Sequence, residues 1–134
     1  MLSGARVEAV VPVSDLDRAI EFYGQTLGLG TPERDEFPGT PGARFRSGAS
    51  TLYLYKSVGA GQSRHTLVAF DVDDIDQAVA SLRRNGVTFE EYDSPDIKTE
   101  NGIATIGEER AAWFKDPDGN ILGVAQTARV GATA

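Results

Sequence analysis

The chain has 134 residues, no cysteine and a formal net charge of −7, with 40% hydrophobic and 25% charged residues. That length holds one compact domain or two small intertwined modules, and the absence of cysteine excludes disulfide staples and thiolate chemistry. The acidic balance argues against a nucleic-acid partner, whose phosphates need concentrated Lys and Arg, and no apolar run reaches membrane-spanning length or forms a signal-peptide core, so a cytoplasmic protein is expected.

Val7, Ala9, Val11 and Val13 alternate with Glu8, Val10 and Pro12, which predicts a strand apolar on both faces, with Glu8 as the odd member. A helix follows, capped by Ser14 or Asp15, with Leu16, Ala19, Ile20, Tyr23 and Leu27 at helical spacing and Gly28 to stop it. Pro32 to Gly42 is punctuated by Pro and Gly and is expected to hold one short strand around Glu33 to Phe37. Arg44 to Ser47 and Thr51 to Tyr55 read as two strands joined by the small residues Gly48, Ala49 and Ser50. A first module of strand, helix and three strands therefore runs over about 5–57.

Ser57 to Ser63 is a small polar connection, after which the pattern restarts in a second module over about 64–127. His65 to Val72 predicts a strand; Asp73 or Asp74 caps a helix carrying Ile75, Ala78, Val79 and Leu82, and Gly86 ends it. Val87 to Tyr92 predicts the next strand. Asp93 to Glu109, with Pro95, Gly102 and Gly107, reads as a long irregular segment, either a lid closing over Ile97 and Ile103 or a surface excursion. Ala111 to Phe114 and Ile121 to Val124 form a closing hairpin around the turn Asp116-Pro117-Asp118-Gly119-Asn120, and Ala128 to Ala134 is expected to fray. Asp116 and Asp118 are paired carboxylates, but their Pro-Gly context makes them turn formers rather than an acid/base pair.

The two halves repeat. Asp15-Leu16-Asp17-Arg18-Ala19 matches Asp74-Ile75-Asp76-Gln77-Ala78, and Thr51-Leu52-Tyr53-Leu54 corresponds to Ile121-Leu122-Gly123-Val124. The expected fold class is α+β, with two tandem βαβββ modules in one domain over 1–134.

The run from Val7 to Tyr23, the run from Ala69 to Asp76 and the turn Phe114-Lys115-Asp116-Pro117-Asp118-Gly119-Asn120, in that order and on that repeat, resemble the vicinal oxygen chelate superfamily of glyoxalases, bleomycin resistance proteins and dioxygenases. The resemblance implies curved mixed sheets around a cavity, helices on their outer faces, a homodimer and, in the enzymes, a divalent metal. Carried over position by position, the family's metal ligands fall on Glu8, Tyr53, Leu67 and Gly123. Leu67 and Gly123 have no side-chain donor, whereas catalytic metal sites usually draw on three imidazole, carboxylate or thiolate ligands. The implied metal site reads as lost, and the expected cofactor is none, with a divalent metal as the alternative.

The candidate ligand-binding residues are Glu8, Tyr53, Tyr55, His65, Leu67 and Trp113. Glu8 needs a partner for its carboxylate, and it is either a cavity group that anchors a ligand or acts as a base, or half of an ion pair with Arg44 or Arg46. Tyr53 and Tyr55 share a strand face suited to an amphipathic ligand or to core and dimer packing. His65, two residues before Leu67, is read as sharing its face and reaching a cavity rim, or as a solvated strand-start residue. Trp113 either stacks on a ligand or packs internally. The leading expectation is a metal-free protein that binds an amphipathic small molecule; the alternative is a lyase, isomerase or dioxygenase using Glu8 and His65, with a displaced metal or as a metal-free acid/base pair.

Overall fold

The computed structural model describes residues 1–36 and 41–127. These form two units: Met1–Ser63 with Pro117–Gly119, and Arg64–Asp116 with the chain from Asn120 onward. The expectations for Phe37 and for the tail from Ala128 lie outside the described residues.

In the first unit, β1 (Ala9–Val13), β2 (Glu33–Asp35), β3 (Gly42–Ser47) and β4 (Ser50–Lys56) form a sheet in the order β1-β4-β3-β2, with β1 parallel to β4 and the other pairs antiparallel. Strand alternation divides its residues cleanly. Val11, Val13, Ala43, Phe45, Leu52 and Leu54 point one way and are buried. The helix α1 (Leu16–Glu21) packs against β3 and β4 and buries Leu16 and Ala19. Of the two expected caps it is Asp15 that accepts the Arg18 amide, at 3.1 Å. Ser14 is engaged elsewhere: its amide and hydroxyl donate to the Asp118 carboxylate, which Arg18 also pairs at 3.2 Å.

The α-helix is shorter than its apolar stripe predicts. From Phe22 to Thr26 it widens into a π-helical turn, with the Leu27 amide reaching the Phe22 carbonyl at 2.9 Å. The wider turn keeps Tyr23 fully buried beside Phe45, ring centroids 6.5 Å apart, and leaves Ile20 and Leu27 only part-buried.

The second unit repeats this topology with one strand more. β5 (Thr66–Asp71), β6 (Thr99–Glu100), β7 (Ile103–Ile106), β8 (Glu109–Lys115) and β9 (Ile121–Gln126) form a sheet in the order β5-β9-β8-β7-β6, again with its first and last strands parallel. The helix α2 (Ile75–Arg84), capped by Asp74, packs on β8 and β9 and buries Ile75 and Val79. The register repeats too: Val10 lies beside Tyr53 as Ala69 lies beside Gly123, and Arg44 lies opposite Tyr53 as Trp113 lies opposite Gly123.

Two expectations for this half are corrected. Val87 to Tyr92 is not a strand: Val87 and Phe89 are buried, but the segment makes only a single bridge, Phe89 to Phe114. The edge of β8 is already occupied along its first half by β7, which leaves room for one bridge rather than a ladder. Asp93 to Glu109 is correspondingly not an irregular excursion. Its centre is the β6-β7 hairpin, closed by Asn101 and Gly102 at φ 53° and 82°, and a second tight turn at Gly107 and Glu108 leads into β8. Asn-Gly is the dipeptide that favours a two-residue turn with both φ values positive.

Candidate functional site

The face of the first sheet opposite its core carries Glu8, preceding β1, together with Thr51 and Tyr53 from β4 and Arg44 and Arg46 from β3. Because Phe45 is fully buried on the other side, the strand period of two leaves Arg44 and Arg46 no choice of face. A cleft of about 660 Å³ opens over this surface. Its charged lining is Arg6, Glu8, Glu33, Arg44 and Arg46; Val7 and Leu29 supply apolar wall.

The Glu8 carboxylate is gripped from both ends of one guanidinium: Arg44 Nε donates to Oε2 at 2.6 Å and a terminal Arg44 nitrogen donates to Oε1 at 3.2 Å. Thr51 adds a side-chain hydrogen bond to Glu8. The Arg44 hydrogen bond is the main reason the Glu8 carboxyl titrates below its ordinary value, and Glu8 in turn raises Arg44. The Arg44 guanidinium carbon sits 4.7 Å from the centroid of the Tyr53 ring, a cation–π stack. Burial foremost, then a hydrogen bond donated to Asp35, pushes the Tyr53 hydroxyl above its ordinary value and keeps it protonated. One connected network thus runs Thr51, Glu8, Arg44, Tyr53, Asp35.

Of the two readings of Glu8, the ion pair with Arg44 is formed, and it is formed in the wall of the cleft. Tyr53 reaches the cleft only through Arg44, which covers its ring. Tyr55 lies on the same face as Tyr53, opposite Gly42 and Pro12, and is not part of the cleft lining. Arg6, Glu33, Thr51 and Leu29 carry no sequence motif and were not anticipated; Arg46 was anticipated only as an ion-pair partner. Strand parity around Phe45 was the available signal for both arginines.

His65, Leu67 and Trp113 belong to the second unit. The inference that His65 and Leu67 share a face is corrected. His65 is an exposed residue in the bend before β5, and the β5-β9 register slips between Thr66 and Val68, so Leu67 is the extra residue of a bulge. A bulge breaks the period of two on which the inference rested. Trp113 lies across Gly123: a Cβ added there would stand 3.3 Å from the indole Cδ1 and 3.5 Å from Nε1. The indole also meets the Tyr92 ring in a T-shaped arrangement, ring centroids 5.6 Å apart.

The donor set does not fit a divalent metal. Of the four positions to which the family resemblance assigns ligands, Leu67 and Gly123 offer no donor atom, Tyr53 is protonated beneath Arg44, and both oxygens of Glu8 are engaged by Arg44. Among the described residues, no three His, Cys, Asp or Glu side chains gather closely enough to hold a metal ion. No helix among them is long and apolar enough to cross a membrane.

No curated protein matches the chain. Among solved structures it is similar to TnmS3, an antibiotic binding protein from Streptomyces sp. CB03234, at 24% identity and a TM-score of 0.70, covering 96% of this chain and 99% of that one. A glyoxalase family protein from Enterococcus faecalis matches at 18% identity and a TM-score of 0.71, covering 93% and 99%. A glyoxalase/bleomycin resistance protein from Streptomyces sp. CB03234 matches at 26% identity and a TM-score of 0.60, covering 90% and 98%. The repeated sheet topology, these likenesses and the match of residues 6–124 to the model of the Glyoxalase/Bleomycin resistance protein/Dioxygenase superfamily place the chain in that family.

Proposed function

We propose that this chain is a metal-free small-molecule-binding protein that holds an amphipathic organic compound in the cleft of its first unit, without catalysing its conversion. The observation that carries the reading is the bidentate clamp of Arg44 on Glu8. Glu8 is the one carboxylate at the positions where the family's enzymes place metal ligands. A general base works best with a pKa near the operating pH, whereas this carboxyl is held below the ordinary carboxylate range. A cleft of about 660 Å³ is of the size that takes drug-sized molecules, and the likeness to an antibiotic binding protein supports a ligand of that kind. The assembly that goes with the family resemblance is a homodimer, and the location proposed with it is the cytoplasm.

Three measurements test the reading. Elemental analysis of protein purified without chelator is expected to find no stoichiometric zinc, nickel or iron; one such ion per chain overturns the metal-free assignment. A thermal-shift screen of drug-sized compounds is expected to yield ligands whose stabilisation disappears in Thr51→Trp, a variant that fills the cleft. Turnover of any such compound that is abolished in Glu8→Gln, with its affinity unchanged, would replace the binding reading with the catalytic one.

A further inference from the structure

We infer that the ligand of this cleft carries a carboxylate, received by the guanidinium of Arg46 with Arg6 as a second cation, on an apolar body that rests against Val7 and Leu29. The inference deepens the binding reading of the cleft and rests on it.

Two of the charges in the cleft are already answered. Arg44 is paired with Glu8 and stacked on Tyr53, so this pair is neutral and fixed before any ligand arrives. Arg46, two residues along the same strand and opposite Thr51, projects into the same cleft. Among the described residues neither Arg46 nor Arg6 forms a salt bridge, and the remaining acid of the lining is Glu33. Three arginines against two glutamates leave a local excess of positive charge, on a chain whose formal net charge is −7.

The chemistry of the excess narrows the ligand. A guanidinium presents a planar fork of donors that fits the two oxygens of a carboxylate, and it stays charged at any working pH. The neighbouring Glu8–Arg44 pair fixes the wall beside the arriving anion, so its binding need not reorganise that part of the cleft. A compound lacking the acid leaves Arg46 with water alone, whereas an amine meets the positive excess.

Matched probes test this. Binding of 2-naphthoate, 2-naphthamide and 2-naphthylmethylamine to the whole chain is measured by titration calorimetry and by NMR shift changes at low and high salt. The expected result is that naphthoate binds at least about tenfold more tightly than naphthamide, the scale of one charge-assisted hydrogen-bond pair, and that added salt weakens naphthoate selectively. Arg46→Gln is expected to remove most of the preference for acid over amide, with Arg6 alone left to hold the anion, and Arg46→Lys to keep more of it. Equal affinity for acid and amide, a preference for the amine, or an acid preference undiminished in Arg46→Gln overturns the carboxylate inference and leaves the cleft a binding site. Absence of saturable binding by all three probes overturns the inference as well, and if the compound screen also finds no ligand, the binding reading falls with it.

Discussion

The phenol of Tyr53 occupies the volume that a side chain on Gly42 would need. A Cβ built on Gly42 would stand 2.1 Å from the Tyr53 hydroxyl oxygen, 2.4 Å from the ring carbon bearing it and 2.9 Å from the backbone oxygen of Leu54. Because Tyr53 in turn supports Arg44, one methyl group on the sheet floor is transmitted to the wall of the cleft. Gly42→Ala is expected to destabilise by about 1–3 kcal/mol, the usual cost of overpacking. Removing the ring should recover part of that loss, so a double-mutant cycle of Gly42→Ala with Tyr53→Ala, read by urea denaturation, is expected to show coupling. Strict additivity would mean that the backbone contact alone sets the cost.

The Glu8–Arg44 pair predicts an acid-dependent stability. The Glu8 carboxyl lies below its ordinary value of 4.5 in the folded chain. A carboxylate whose pKa falls on folding contributes fully above its unfolded value, and that contribution is lost as pH drops through the lower, folded value. Side chains 27% and 39% exposed make this a partly screened pair, so about 1 kcal/mol is expected. In melting curves across a pH series, the gap between the parent and Glu8→Gln should be full above pH about 4.5 and close below it. A gap that widens on acidification would contradict the assignment.

Trp113 is the only tryptophan, so its emission reports on the second unit directly. Its edge-on packing against Tyr92 should appear as a coupling of about 0.5–1.5 kcal/mol in a cycle of Trp113→Leu with Tyr92→Leu. Gly123→Ala requires only a slight retreat of the indole, since the added Cβ meets it at 3.3 Å. Gly123→Glu needs the space the indole fills, and is expected to expose Trp113 and shift its emission to the red. An unchanged spectrum would show that the indole does not cover Gly123.

Asp118 anchors the entrance to α1 by accepting from the Ser14 amide at 3.0 Å, from the Ser14 hydroxyl and from Arg18. Its side chain is only 7% exposed. Asp118→Ala strands these donors and is expected to cost about 2 kcal/mol, while Ser14→Ala, which keeps the amide bond, should cost about half as much. Chemical denaturation of the two variants checks the order, and a reversal would place the weight on the hydroxyl.

Where the sequence was read wrongly, a local signal was outweighed or was missing. Asn101-Gly102 announces a tight hairpin, yet the surrounding Pro and charged residues suggested a loop, and the β6-β7 strands flanking the turn are only two and four residues long. Phe89 is buried like a strand residue but has room for a single bridge, because the neighbouring edge position belongs to β7. The slip at Leu67 leaves no mark in composition at all.

The sequence by itself determined the tandem repeat, each helix start to within one residue, the turn at Asp116 to Asn120 and the division of β4 into a Leu52-Leu54 face and a Tyr53-Tyr55 face. All of these follow from spacing and turn chemistry within a few residues. Only the tertiary structure decided that Arg44 rather than Arg46 takes Glu8, 36 positions away, that Trp113 fills the emptiness of Gly123, and that Arg6 and Arg46 share a cleft. Pairing across strands is set by register and by the space each side chain leaves its neighbours, and those quantities come into being when the sheets assemble.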